Sequence, residues 1–320
     1  DNSYYFTVDV LPKISVLLVN GEASDNWFDD EGHWFGLAVS GTDSSPFSLE
    51  TIDPAELSAA AMRQSDVVAL LNVGELTNSQ AVALSEYVDD GGSLLIAPGD
   101  RVDEQAFNQR LGEISPARLE QMGLLGRDDY LVIADYDRRH PIMRPLGSDW
   151  PARFQGHWRL TPSEDANVLM RFDNTEAALV EKDVGEGKVL LFASSLDLEW
   201  NNLALQGLFL PFVHETLRHL VRSEVGQTAY EIGDSISLEQ FMSDTEVSVM
   251  DADGRSVNLE SSNLQRATSP GLFTATSGAG STRYAVNILP EESNFARVAT
   301  STLYDAIVNP DTSPLQSREA

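Results

Sequence analysis

The sequence predicts an α/β domain with a largely parallel sheet, followed by a small β-sandwich of immunoglobulin-like type. From residue 13 to about residue 225, short Leu-rich or β-branched runs alternate with amphipathic helical stretches. After residue 226 the helical periodicity ends, and short strands follow one another between turns. The length of 320 residues is enough for two domains with separate cores.

The first strands are the clearest elements. Residues 14–19, 66–72 and 93–97 are almost continuously apolar, which is typical of central parallel strands covered on both faces. Residues 47–52 alternate between apolar and polar side chains, and we expect a strand nearer the edge of the sheet.

Helices are predicted between these strands. Residues 77–89 form a helix that begins at Thr77 as the N-cap and ends before the Gly91-Gly92 pair. Residues 103–111 and 116–122 are predicted as two shorter helices. A further strand is expected at residues 130–134.

The second half of the α/β region predicts three strands and a long helix. Residues 168–194 contain the strands, and the last two are joined as an antiparallel hairpin across Gly185-Glu186-Gly187. Residues 202–221 carry a broad apolar helical face. Pro211 is expected to kink this helix or to begin its second half.

The predicted domain organisation has four parts. Residues 1–12 are a strand from a preceding β module or a linker, 13–225 the α/β domain, 226–290 the β-sandwich and 291–320 a loosely attached tail. We place the boundary near residues 223–228. The chain begins with Asp1 and has no apolar leader, so we expect a piece of a longer protein.

Composition excludes several classes of function. The chain has 21 Lys and Arg against 50 Asp and Glu, a formal net charge of −29, so we expect no nucleic-acid partner. It has no cysteine, which excludes disulfides, thiolate metal sites and a cysteine nucleophile. No apolar run is long enough for a membrane span, and no cofactor motif is found.

The loop after the first strand offers candidate ligands. In a sheet of this kind, ligands bind beyond the carboxyl ends of the strands. The weak candidates for a small ligand or a divalent cation are Asp25, Asp29, Asp30 and His33. Aromatic side chains that could form the walls are Trp27, Phe28, Trp34 and Trp158. A solvated acidic loop is the alternative interpretation, because the acids have no fixed ligand spacing.

Gly99, Asp100 and Arg101 follow the strand at 93–97, where a nucleophile elbow would lie. Attack on a carbonyl there needs Ser or Cys, so this elbow is degenerate. Asp100 is predicted instead to cap the next helix and to pair with Arg101 or a neighbour. A hydrolase using Asp100 and His140 would require the two side chains within hydrogen-bond reach.

The histidines give no recognised motif. His140 is expected in a turn before Pro141, hydrogen-bonded to a carboxylate or to backbone. His214 and His219 are five residues apart, which rejects the spacing of an H-E-x-x-H zinc motif. The sequence therefore leaves open whether any metal binds.

A series of strings in fixed order resembles one bacterial family. The strings lie at residues 10–14, 17–21, 45–47, 53–57, 72–74, 87–92, 137, 140–142, 178–181, 185–189, 200–203 and 209–211. Over roughly residues 1 to 295, the chain is similar to the ectodomains of large bacterial membrane proteins related to the Bat aerotolerance proteins.

The resemblance implies a flavodoxin-like, class I glutamine amidotransferase-like three-layer domain that is flanked by immunoglobulin-like modules. It also implies a periplasmic or extracytoplasmic position on the bacterial inner membrane. Since the catalytic Cys of amidotransferases is missing, only the fold is carried over. We expect a non-catalytic interaction or sensory domain with a protein partner at the membrane, no cofactor, and membrane contact only through segments outside this chain. The alternative is a small-ligand or divalent-cation module at the strand ends.

Overall fold

The computed structural model describes residues 4–7, 13–42, 45–126, 128–147, 150–221, 229–238, 247–257, 259, 264–277 and 280–288. The chain divides into two compact units. One is Leu11–Ser223, and the other combines Asp1–Val10 with Glu224–Ala320. The predicted boundary at 223–228, the tail at 291–320 and most of the segment 1–12 lie outside the described residues.

The α/β unit alternates strands and helices along the chain. Its strands are β1 (Ile14–Asn20), β2 (Phe47–Ile52), β3 (Val67–Leu71), β4 (Ser93–Ala97), β5 (Ala117–Leu124), β6 (Ile133–Tyr136), β7 (Gly156–Pro162), β8 (Asn167–Phe172), β9 (Ala177–Val184) and β10 (Gly187–Phe192). Its helices are α1 (Glu31–Ser40), α2 (Ala59–Met62), α3 (Asn78–Asp89), α4 (Glu104–Arg110) and α5 (Phe209–Val221).

Eight of these strands form one sheet in the order β2-β1-β3-β4-β10-β9-β8-β6. The five strands from β2 to β10 in this order pair in parallel, and the pairs from β10 to β6 are antiparallel. Along the chain, β2 is added on one side of β1, and β3 and β4 are then added on the opposite side of β1. The order therefore reverses between β1 and β3, which is the switch point where ligands bind in open α/β sheets.

Helices cover both faces of the sheet. The hydroxyl of Ser93 in β4 donates to the carbonyl of Leu220 at 2.7 Å, so α5 lies on the Ser93 face. Helix α1 packs against α5. Leu70 and Ile96 alternate to the opposite face, where they and Phe107 of α4 line a small apolar gap. The buried side chains of β1, β3 and β4 thus form a core between two helical layers.

Most of the predicted elements are confirmed. Strands are found at residues 14–19, 47–52 and 93–97, β3 covers residues 67–71 of the predicted segment 66–72, and β2 lies at the edge of the sheet as expected. Helix α3 begins after the Thr77 N-cap, whose hydroxyl accepts from the Gln80 amide while the Gln80 side chain accepts in return. It ends before Gly91, which has φ 103°.

The predicted helix at residues 116–122 is wrong, because this segment is the strand β5. It pairs antiparallel with β7 in a separate two-stranded sheet. Its burial alternates: Ala117 and Leu119 are buried, whereas Arg118 and Glu120 are exposed. This two-residue period is that of a half-buried strand.

Two other elements differ from expectation. The strand predicted at residues 130–134 lies later, at β6. The loop expected after β1 contains α1, which the pattern did not predict.

The hairpin and the last helix are confirmed. β9 and β10 pair antiparallel around Gly185, whose φ of 56° suits a tight turn. A short 3₁₀ turn at Leu203–Leu205 precedes α5, and Pro211 lies in the first turn of α5. Pro211 therefore begins the second helical part, where its missing amide donor costs no hydrogen bond.

The second unit is built from strands. These are β11 (Ala229–Glu231), β12 (Ser235–Ser237), β13 (Ser248–Asp251), β14 (Leu264–Arg266), β15 (Gly271–Ser277) and β16 (Gly280–Asn287). One sheet has the order β11-β16-β15-β13, and β12 pairs with β14. The core of this second unit includes the buried side chains of Ile236, Val249, Phe273 and Tyr284.

None of the helices in the described ranges is both long enough and apolar enough to span a membrane.

Candidate functional site: an acidic crevice at the carboxyl edge of the sheet

Asn72 lies at the switch point, directly after β3. It is buried and has φ 47°, a left-handed conformation that asparagine tolerates better than most residues. Two glycines make room for it. A Cβ on Gly21 would lie 2.0 Å from the Asn72 carbonyl oxygen, and one on Gly99 would lie 2.4 Å from Asn72 Cγ. The backbone therefore closes tightly around this side chain.

The Asn72 carboxamide joins the loops that follow β1 and β4. Its Nδ2 donates to Glu22 Oε2 at 2.9 Å and to Asp100 Oδ1 at 3.0 Å. Its Oδ1 accepts from the Arg101 amide at 3.0 Å. Since one donor atom serves two carboxylates, Asn72 holds Glu22 and Asp100 on the same side of the sheet edge.

Arg101 provides a cation in this network. Its Nε lies 3.4 Å from Glu22 Oε1, and its Nη1 donates to the Gly21 carbonyl at 3.0 Å. The side chain is 53% exposed, so the ion pair is open to solvent and weak.

The loop after β10 brings Asp197 and Glu199 to the same edge. Asp197 is buried and accepts from the Ser195 hydroxyl at 2.6 Å and from the Glu199 amide at 3.0 Å. Burial raises the pKa of Asp197, and the charge of Asp29 adds to this, although hydrogen bonds from Ser195 and from the backbone of Glu199 and Trp200 partly offset it.

Glu31, in the first turn of α1, is the most unusual group. Its side chain is fully buried, and neither carboxyl oxygen has a hydrogen-bond partner. Burial raises the pKa of Glu31 well above its usual value, and the charge of Asp197 raises it further, while a weak contact with the Leu196 backbone lowers it only in part. A buried acid of this kind without a partner is costly in its ionised form.

Glu22 and Glu199 complete the cluster. Burial raises the pKa of both, and the charge of Asp100 raises both again. Arg101 lowers the pKa of Glu22. We call the set Glu22, Glu31, Asp100, Asp197 and Glu199 the acidic crevice. Four members of this set have a raised pKa, and among the described residues Arg101 is the one cationic side chain that lowers the pKa of any of them.

Exposed aromatic rings flank the acidic crevice. Trp27 and Phe28 stack with centroids 3.8 Å apart, and each is 46% exposed. The Leu198 amide donates to the Phe28 carbonyl at 3.1 Å, which ties this aromatic loop to the segment between Asp197 and Glu199. The backbone of the aromatic loop is therefore held beside the segment that carries Asp197 and Glu199.

The residues predicted as ligands have local roles. Asp30 is the N-cap of α1, accepting from the His33 amide at 3.1 Å and from Asn20 Nδ2 at 2.9 Å. Asp29 accepts from the Asn26 side chain. Asp25 and His33 are exposed.

The degenerate elbow differs from expectation in one respect. Asp100 does not cap the following helix, because Asp103 is the N-cap of α4. Asp100 instead accepts from Asn72. Nor is Asp100 hydrogen-bonded to His140, whose Nε2 lies 3.3 Å from Glu181 Oε1. The hydrolase alternative therefore lacks the contact that it requires.

The sequence did not identify Glu31, Asn72, Asp197 and Glu199 as site residues. A usable signal existed for two of them: the loop after β10 belongs to the carboxyl edge once β10 is known to pair in parallel with β4. Asn72 was visible only as a polar residue ending an apolar strand. The burial of Glu31 depends on α1, which was not predicted.

Metal-ligating side chains are closely grouped elsewhere. Within the described ranges, three such donors lie within 4.8 Å of one another at one place only, which is formed by His140, Glu181 and His219. The carboxylates of the acidic crevice do not form such a group.

Comparison with known proteins supports the fold. No protein-family model matches the sequence, and no curated protein sequence matches it significantly. Two solved structures described as cytoplasmic proteins of Salmonella typhimurium are similar. One has a TM-score of 0.51 at 16% identity, covering 66% of this chain and 100% of its own. The other has a TM-score of 0.52 at 18% identity, covering 65% of this chain and 100% of its own.

A Bacteroides uniformis protein described as ThuA-like has a TM-score of 0.51 at 13% identity. The match covers 69% of this chain and 96% of that one. ThuA-like proteins have a glutamine amidotransferase-like fold, so the α/β unit is similar in fold to that group. At these identities the similarity concerns the fold alone.

Proposed function

We propose that this protein is a non-catalytic binding domain whose acidic crevice holds a small organic cation. The observation that carries the proposal is Glu31, a fully buried carboxyl beside the charge of Asp197, for which, among the described residues, a contact with the Leu196 backbone is the one interaction that lowers its raised pKa. Burial and neighbouring like charges disfavour the ionised form of such acids, a bound cation would favour it, and groups with perturbed pKa values concentrate at functional sites.

An organic cation fits better than a bare metal ion. A divalent cation needs several oxygen ligands in one tight shell, and the described carboxylates of the acidic crevice do not provide three such donors. An amine spreads its contacts over a larger space. The exposed faces of Trp27 and Phe28 add a surface that attracts organic cations.

The absence of catalysis is part of the same proposal. The elbow position holds Asp100, and the sequence has no cysteine that could replace it as nucleophile. Asp100 is already engaged by Asn72. We expect no turnover of glutamine or of ester substrates.

The setting that the family resemblance implies also belongs to the proposal. It places the chain outside the bacterial inner membrane, with a protein partner there and with the β unit as an immunoglobulin-like module. The net charge of −29 supports a partner with a basic surface. Crosslinking of the full-length protein in its own cells would test this setting.

The experiment for ligand binding is thermal unfolding with spermidine as the amine probe and with Ca²⁺ and Mg²⁺ as comparison cations, at low ionic strength. A ligand at 100 times its Kd adds about 2.7 kcal/mol to stability, a shift of a few degrees. We expect spermidine to raise the Tm and the two metal ions to have little effect.

The matched variants separate binding at the acidic crevice from general attraction to an acidic protein. Glu22→Gln with Glu199→Gln neutralises two crevice acids, and the new carboxamide oxygen at position 22 can still accept from Asn72. Glu86→Gln with Asp90→Asn makes the same charge change at exposed positions of α3 and its C-cap. The proposal requires the spermidine shift to fall in the first variant and to persist in the second; equal loss in both would refute it.

A further inference from the structure

Two histidines from separate elements converge on one glutamate. His140 lies in the segment after β6, Glu181 in β9 and His219 in α5. His140 Nε2 is 3.3 Å from Glu181 Oε1, and His219 Nε2 is 2.5 Å from Glu181 Oε2. The two imidazole rings are 4.4 Å apart between centroids. Each ring therefore presents the same type of nitrogen to a different oxygen of one carboxylate.

This cluster is distinct from the acidic crevice. Glu181 pairs with Leu190 of β10, and Leu190 pairs with Leu95 in the middle of β4. Directly opposite residues share a face, so Glu181 lies on the face covered by α5, inside the sheet and before its carboxyl edge.

The spacing of the three side chains suits a metal ion. Zinc binds imidazole nitrogen and carboxylate oxygen at about 2.0 to 2.2 Å, which places tetrahedral ligand atoms roughly 3.4 Å apart. The distance of 3.3 Å between His140 Nε2 and Glu181 Oε1 is already close to this value. All three donor atoms lie within 4.8 Å of one another. The His219 contact has to widen, which a rotation of the Glu181 carboxylate permits.

The three side chains are largely shielded from solvent. The side chains of His140, Glu181 and His219 are 10%, 8% and 12% exposed, so the cluster is shielded but can still be reached by water. Two imidazoles and one carboxylate are a ligand set of catalytic zinc sites, in which the fourth position is filled by water. One anionic ligand also offsets half of the charge of a divalent ion.

Three interactions have to be given up. The two contacts between imidazole Nε2 atoms and Glu181 oxygens are replaced by bonds to the ion. The Ile142 amide donates to His140 Nδ1 at 3.4 Å, at the limit of a hydrogen bond. Ligation through Nε2 needs the tautomer with its proton on Nδ1, which excludes this contact. Losing such a long contact is a small cost compared with a metal–imidazole bond.

We propose that His140, Glu181 and His219 form a binding site for a divalent transition-metal ion of the Zn²⁺ class, linking α5 to β9 and to the segment after β6. The ion would bind through the two Nε2 atoms and the Glu181 carboxylate. It would stabilise the α/β unit, because the ligands come together only in the folded chain.

The test is a titration of the chelator-treated full chain with Co²⁺, whose visible absorption reports four-coordinate binding. We expect saturation at one equivalent and displacement by Zn²⁺. His140→Gln and His219→Gln should each weaken Co²⁺ binding at least about tenfold. The matched control is His157→Gln, which removes a histidine that also contacts one carboxylate, Glu176, at 2.6 Å. This control should retain the site.

Two results would overturn the inference. One is that the wild-type chain shows no Co²⁺ absorption at one equivalent, and the other is that binding is unchanged in both ligand variants. The cluster is then a hydrogen-bonded network only. Should the variants fail to fold by circular dichroism, X-ray absorption of the wild-type Zn²⁺ complex decides, since the proposal requires two imidazoles around the ion.

Discussion

Replacing Glu31 with glutamine should make the α/β unit less sensitive to rising pH. Burial raises the pKa of Glu31 well above its usual 4.5, so the folded state binds a proton more tightly than the unfolded state. The stability contributed by this proton is fully present below the unfolded pKa. It is lost as pH rises through the pKa of the folded protein.

The size of the effect follows from linkage. One proton bound only in the folded state changes the free energy of unfolding by about 1.36 kcal/mol per pH unit. For each pH unit between the unfolded and the folded pKa, wild-type protein should therefore lose up to ~1.4 kcal/mol relative to Glu31→Gln. The variant keeps nearly the same volume, so no cavity complicates the comparison.

Urea unfolding followed by tryptophan fluorescence provides the assay. All five tryptophans lie between residues 27 and 200, within the α/β unit, so the signal reports that unit. Glu86→Gln, at an exposed position of α3, is the control and should follow the wild type at every pH. Parallel pH profiles for wild type and Glu31→Gln would refute the argument that a buried unpartnered acid lies at this edge.

Three further predictions concern the backbone around Asn72 and the strand β5. Asn72→Ala should destabilise the α/β unit by roughly 2 to 4 kcal/mol, because it removes three hydrogen bonds and leaves a left-handed residue without its carboxamide. Asn72→Gly should cost less, as measured by urea unfolding. Gly99→Ala should lower the Tm, since its Cβ would lie 2.4 Å from Asn72 Cγ. Leu119→Ala should cost about 2 to 5 kcal/mol and Glu120→Ala little, and equal effects would contradict the alternation of β5.

Strands could be predicted from the sequence where burial of their faces determines which residues they contain. The apolar runs at β1, β3 and β4 are buried on both sides, and the capping residues of α3 mark its beginning and end. β5 was mistaken for a helix because its apolar positions also suit a short helical spacing. Its pairing with β7, which is distant in sequence, determines its conformation.

The sequence was sufficient to predict where the candidate site lies, but not which residues form it. The carboxyl ends of the strands follow from the fold class, and Asp100 was identified there. Glu31 and Asp197 depend on burial created by α1 and by the loop after β10. Such burial results from packing between distant segments, which the periodicity of a single segment does not encode.

Isothermal titration of spermidine into the full chain tests the binding proposal most directly. The titration is made at mildly acidic pH, where the raised pKa values of Glu22, Asp197 and Glu199 leave these carboxyls partly protonated in the free protein. A bound cation stabilises their ionised forms, so binding should release protons. Measured heats should then differ between buffers of different ionisation enthalpy, and this difference should fall in Glu22→Gln with Glu199→Gln. The absence of binding, or binding without proton release that the double variant leaves unchanged, would contradict a cation site in the acidic crevice.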